Sequence, residues 1–214
     1  MTAKNWAKRI AVTTGAVAAV LACATPGIAS ATSESVTAQA DLDGNGAPDT
    51  LTLTESGAET QELVATVGGT TARVTIPMDP YFHTAPLRVT DVNADGKSEV
   101  IVTEYVGANT LTLSSWDFDG VHLRELRTPD GQPFQLYEGG GIRAHSGYDC
   151  EQLASGRALV VFNSASDDID FATYDGDRTW YRVRDGVATP TTRITFTGAE
   201  ADNPIRDGDP DTCA

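Results

Sequence analysis

"DLDGNGAPDT", Asp41–Thr50, decides how the rest of the chain reads. Oxygen-bearing side chains recur at alternate places, Asp41, Asp43, Asn45 and Asp49, with Gly46 among them. An alternating stretch, "TLTLT", follows from Thr50 to Thr54. "DVNADGKSEV", Asp91–Val100, repeats the arrangement with Asp91, Asn93, Asp95 and Glu99 in register and Gly96 at the place of Gly46. The apolar "EVIVTEY" lies behind it.

Counted from its first aspartate, each loop offers side-chain oxygens at positions 1, 3, 5 and 9 and a carbonyl at position 7, Ala47 or Lys97. Alternate side chains of a tight loop can converge on one point, and a glycine at position 6 permits the turn that brings position 7 inward. Hard oxygen donors with three carboxylates per loop suit Ca²⁺, which accepts six to eight oxygens in flexible geometry. An EF-hand is ruled out because position 12 is Thr52 or Val102 rather than a bidentate glutamate. The shorter donor set predicts affinity in the range of about 10⁻⁴–10⁻³ M typical of extracellular modules. The competing reading is a pair of Asx turns capping strands. Two loops in one register, with glycine at the same place, favour the metal.

Helical periodicity is nearly absent. "ELVATV", "TARVTI", "TLTLSSW", "HLRELR", "ALVVF", "IDFATY", "WYRVR" and "RITFTG" join the two runs above as expected strands. Ten short strands between Gly, Asp and Pro clusters indicate an all-β sandwich, barrel or propeller-like array. Aligning the acidic loops divides the chain into about three antiparallel meanders, over 36–85, 86–137 and 138–198, with an Asp/Pro/Gly-rich tail over 199–214. Asp-Gly pairs in "WDFDG" (Trp116–Gly120) and "YDG" (Tyr174–Gly176) read as hairpin turns.

The loop "DLDGNGAPD" before a strand, its recurrence at "DVNADGKSE", and the aromatic-Asp-Gly hairpins together resemble the FG-GAP/VCBS repeat family over roughly Asp41 to Arg184. The third unit lacks the cation pattern, and only the loops match closely. The resemblance implies calcium, blade-like meanders and no catalysis. Three units are fewer than the blades of an ordinary closed propeller. A small or partial propeller, or self-association with a second copy to complete one, is therefore expected.

The front of the chain reads as an address. Lys4, Lys8 and Arg9 precede an uncharged apolar run, Ile10–Ala24, and Ala29-Ser30-Ala31 supplies a cleavage site. A secretory signal over 1–31, with a single domain over 32–214, is the expectation; lipidation at Cys23 is the competing one. The run is too short for a membrane span, which needs about 20 residues. Without the leader, twelve basic residues face thirty acidic ones, a net charge of −18. That sign disfavours nucleic acid, whose phosphates need Lys and Arg, and an anionic membrane surface. Cys150 and Cys213 are the two cysteines left, and an oxidising exterior makes them a disulfide.

Other features carry less. His83, His122 and His145 are isolated, without HExxH or GxSxG. Asp117 and Asp119 read as a hairpin turn, Asp167, Asp168 and Asp170 as a solvated turn, and Trp116, Trp180 and Tyr181 as core. "EGGGIRAHSG", Glu138–Gly147, has no Lys-Ser/Thr after it and reads as a surface loop. No catalytic set is recognised. The sequence points to a secreted, non-enzymatic calcium module for an extracellular protein or polysaccharide. The alternative is a secreted hydrolase acting on an extracellular polymer through acidic residues outside these motifs.

Overall fold

The computed structural model describes residues 35–214. The leader expected over 1–31, and Cys23 within it, lie outside the described residues. All the described regular structure is β apart from two short 3-10 turns, Pro204–Arg206 and Pro210–Cys213. None of the described residues forms a helix long and apolar enough to cross a membrane.

Four strands, β1 (Ser35–Ala40), β2 (Asp49–Gly57), β3 (Thr60–Val67) and β4 (Thr70–Pro77), pair in sequence order as an antiparallel meander. β5 (Arg88–Thr90), β6 (Glu99–Val106), β7 (Thr110–Phe118) and β8 (Leu123–Glu125) pair successively as well. They belong to a larger sheet that continues through β9 (Gln135–Gly139), β10 (Ala144–Leu153), β11 (Gly156–Ala165), β12 (Thr173–Arg184) and β13 (Val187–Glu200). β6 takes one edge of β7, so β8 and β9 divide the other: Trp116–Phe118 pair with β8 and Thr110–Ser114 with β9. Both sheets have open strand orders, so neither closes into a barrel.

Two cores explain this layering. In the first sheet Leu51, Leu53, Leu63, Ala65, Ala72 and Ile76 face one way, as period-2 alternation requires. They meet Val100, Val102, Trp116 and Phe118 from the second sheet. Ile101, between Val100 and Val102, points to the opposite side and joins Leu113, Leu136, Tyr148 and Leu159 in the second core. β6 is thus covered on both faces, which is why "VIV", Val100–Val102, is continuously apolar rather than alternating. Gln61 ties the layers together, its Nε2 donating to the carbonyls of Pro77 (3.1 Å) and Thr103 (2.8 Å).

One carboxylate sits against this packing. Glu104 is buried, and burial pushes its carboxyl above the ordinary range, against hydrogen bonds with Ser114 and Gln135; Glu125 adds like-charge repulsion. A raised folded-state pKa favours the protonated form. Its stabilising contribution is therefore full below the unfolded pKa and lost as pH rises through the folded one. Glu104→Gln mimics the protonated side chain. It should raise stability near pH 8 by about 1 kcal/mol and flatten the loss between acid and neutral pH, measured by urea denaturation. Equal pH dependence in wild type and variant would refute the assignment.

Two expectations need correction. "IDFATY" is a turn for most of its length: Ile169 is exposed, Phe171 has φ of 53°, and β12 begins only at Thr173. Asp168 shapes that turn by accepting from the Thr173 backbone N–H and hydroxyl. Tyr174-Asp175-Gly176 is not a hairpin either. It lies inside β12, where a register shift between Tyr174 and Gly176 marks a bulge. The hairpin that joins β12 to β13 uses Asp185-Gly186 instead, both with positive φ.

Candidate metal-binding loops

Each acidic loop is closed by a strand pair. Ala40 pairs with Asp49 across the first, joining β1 to β2, and Thr90 pairs with Glu99 across the second, joining β5 to β6. The residue after the first aspartate drives into the protein: Leu42 is buried in the first core and Val92 in the second. Each loop is thus pinned at its ends by the sheet and near its start by an apolar side chain.

Inside the loops the hydrogen-bond frames match. The position-1 carboxylate accepts from backbone N–H groups at positions 5 and 6: Asp41 from Asn45 (3.1 Å) and Gly46 (2.8 Å), and Asp91 from Asp95 (3.2 Å) and Gly96 (3.1 Å). Position 3 accepts from the same position-5 N–H, Asp43 from Asn45 and Asn93 from Asp95. Position 5 accepts from position 7, Asn45 from Ala47 (2.7 Å) and Asp95 from Lys97 (2.9 Å). Position 9 reaches back to the N–H at position 2, Asp49 to Leu42 (3.0 Å) and Glu99 to Val92 (2.9 Å). Gly46 and Gly96 adopt φ of 81° and 85°, the left-handed region that the sharp turn requires.

The two loops differ as possible cages. Carboxylate oxygens of Asp41, Asp43 and Asp49 all lie within 4.8 Å of one another. Two oxygens bound to one Ca²⁺ at about 2.4 Å each can stand at most about 4.8 Å apart, so this trio meets the spacing, though not by itself the full donor set, that a shared ion requires. Among the described residues no second trio does so. In the second loop Asn93 replaces the aspartate of position 3, which removes one charge from that side.

Electrostatics follow from this crowding. Burial is the largest influence on Glu99 and, with the nearby carboxylates of Asp91, Asp95 and Asp117, pushes it up to about 8. At Asp41 burial also acts upward, but the N–H groups of Gly46, Gly44 and Asn45 together outweigh it and hold the carboxyl below its usual range.

The loops also touch each other. Ser98 N–H donates to the Asp41 carbonyl at 2.7 Å, and the Lys97 side chain lies over Gly44. The Asp91 carbonyl instead accepts from Arg157 Nη1 at 2.7 Å. The C-terminal segment completes that side: the Cys213 carbonyl accepts from Asp91 N–H (3.2 Å), Thr90 Oγ1 (2.6 Å) and Arg157 Nη1 (3.2 Å). Cys213 is fixed there by its disulfide with Cys150. Sequence reasoning missed Arg157 and Cys213 as loop supports, since their contacts span 66 and 123 residues.

The remaining candidates stay apart. His83 lies 2.8 Å from Glu55, His122 beside Asp119, and His145 beside the Phe162 ring. Asp119 caps its turn through the N–H groups of Val121 and His122, while Asp117 holds Arg124 in a two-pronged ion pair. Trp116 is buried, Trp180 donates to Glu151, and Tyr181 meets Phe134 edge-on. Glu138 and Gly139 end β9, and Ala144–Gly147 begin β10, so only the middle of "EGGGIRAHSG" is a connection. No family model matches the chain, and neither a curated protein nor a solved structure matches it.

Proposed function

We propose that this protein is a secreted, calcium-stabilised binding module of the FG-GAP/VCBS type, without catalysis of its own. The shared hydrogen-bond frame of the two loops, with the Asp41, Asp43 and Asp49 oxygens gathered within 4.8 Å, carries this reading. In the first loop Asp41, Asp43 and Asp49 would hold the ion, with Asn45 and the Ala47 carbonyl. In the second, Asp91, Asn93, Asp95, Glu99 and the Lys97 carbonyl would do so. Bound calcium would offset repulsion among like charges and brace the strands that each loop joins. The meanders β1–β4 and β5–β8 are blade-like in this reading, and a second copy could complete a larger array at the open sheet edges. The partner is a protein or polysaccharide outside the cell.

A cation bound only by the folded state stabilises it by RT ln(1 + [L]/Kd), about 2.7 kcal/mol per site at a hundredfold excess over Kd. Millimolar Ca²⁺ should raise the melting temperature and EDTA lower it. Mg²⁺ should substitute poorly, because it demands a tighter octahedron. Asp43→Ala should remove the first loop's share and Asp95→Ala the second's, the first being larger because its carboxylates are better gathered. Identical melting in calcium and EDTA would reduce both loops to plain Asx turns.

A further inference from the structure

A cleft of about 310 Å³ lies between the second acidic loop and the β10–β13 region. Three arginines line it, Arg157, Arg182 and Arg184, against two carboxylates, Asp95 and Asp185. A positive surplus is unusual in a chain whose described residues hold only twelve cations. Arg182 and Arg184 are alternate residues of β12 and share one face of it, while Val183 between them is buried in the second core. Arg157 enters from the start of β11. Its Nη1 is held by the carbonyls of Asp91 and Cys213, which fixes where the guanidinium stands.

Of the eight described arginines outside the cleft, Arg143 and Arg206 donate to the Ser166 and Ala201 carbonyls and lie over the Phe171 and Tyr174 rings, and the other six find anions. Arg73, Arg88, Arg124, Arg127, Arg178 and Arg193 each pair with a carboxylate. Among the described residues, Arg182 and Arg184 show no ion pair and no side-chain hydrogen bond. A guanidinium presents a planar fork of donors that matches oxyanions, and several lining one recess suit a tetrahedral, multiply charged group better than a single carboxylate. The cleft volume sits at the low end for small-molecule sites, about 300–1,000 Å³. Thr191 and Thr192 add hydroxyl-bearing side chains to its wall. The surrounding negative charge repels anions at a distance, so the cleft would be selective for ligands that reach the arginines directly.

We infer that this cleft is an oxyanion site for a sulfate or phosphate group, free or carried as an ester on a small ligand. Recognition rests on Arg182 and Arg184 as the open donors and Arg157 as the fixed one. It does not depend on calcium in the neighbouring loop.

The test is a titration of the ¹⁵N-labelled protein with sodium sulfate, followed by NMR at constant ionic strength with chloride as balance. It is run without calcium and again with millimolar calcium. Saturable shifts should cluster at Gly156–Ala158, Arg182–Asp185 and Thr191–Thr192. The Arg182→Ala/Arg184→Ala variant should weaken binding at least about tenfold. An Arg73→Ala/Arg193→Ala variant, with the same charge change elsewhere, should not. Both target side chains are exposed, so a dispersed spectrum will verify the fold, and single Gln variants serve if the double variant loses it. Hexose sulfate and phosphate monoesters then separate the sources: tighter binding than sulfate marks an ester-borne group, and equal binding marks the free anion. Non-saturating shifts in both calcium conditions, or binding unchanged by the double variant, would mean a solvated basic face and overturn the inference.

Discussion

Arg178→Met is expected to cost the folded protein about 3–5 kcal/mol, the usual loss when one partner of a buried ion pair is removed. Arg178 and Asp149 are both buried, with Nη2 2.6 Å from the carboxylate. Nη1 donates to the Asp207 carbonyl at 2.6 Å, and the guanidinium lies over the Phe162 ring. Methionine keeps much of the packing and removes the charge, leaving Asp149 in the interior with one oxygen that already has no protein partner. Burial dominates at Asp149 and raises its pKa despite the opposing attraction of Arg178. A raised pKa means stability that is full below the unfolded value, about 3.9, and lost as pH rises through the folded one. Deleting the cation that opposes this shift should widen the variant's deficit from acid toward neutral pH. Urea denaturation across that window reads the effect. Asp149→Asn in the Arg178→Met background should recover more than half of it. A loss below about 1 kcal/mol at neutral pH would place the pair with dispensable surface bridges.

Removing the Cys150–Cys213 disulfide as a double serine variant should cost about 4 kcal/mol in the chain-entropy account, for a loop of 63 residues. The native contacts at stake add local consequences. Cys150 N–H donates to Thr212 Oγ1 at 2.9 Å, and the Cys213 carbonyl gathers the three donors beside the second acidic loop. Amide hydrogen exchange should therefore accelerate first at Thr90, Asp91 and the Pro210–Cys213 turn, and much less in β1–β4. A variant that melts within about 1 kcal/mol of wild type would show that the tail docks without the bond.

The all-β class and the disulfide were legible because each rests on a local or compartment signal. Leu51, Leu53, Leu63 and Ala65 alternate with exposed or half-buried neighbours, and that alternation is visible in sequence. The two acidic loops were legible as a matched pair for the same reason, since their frame is made within nine residues. β10 was hidden by Gly147. A side chain there would collide with the Phe162 ring across the strand pair, so close packing requires a residue that reads as a loop former. "IDFATY" misled in the opposite way, with aromatic and β-branched residues in a turn that Asp168 organises. The arginine cleft left no local trace. Arg157, Arg182 and Arg184 come from two strands and look like ordinary polar positions of alternating runs until β11 and β12 are paired.

The two acidic loops differ in when they can be finished. Everything that frames the first one, from β1 through β4 to Ser98, comes from a continuous stretch of chain. The second needs the Cys213 carbonyl, 123 residues beyond Thr90. During synthesis, the first sheet can therefore assemble early from near neighbours. The second loop stays without its outer support until residue 213 has arrived and been oxidised. Long-range closure of this kind is slow relative to local hairpins. Refolding from the reduced state should accordingly show β1–β4 protected before β5–β6, and an oxidant should accelerate only the later phase. Timing, rather than composition, then separates two loops that look alike on paper.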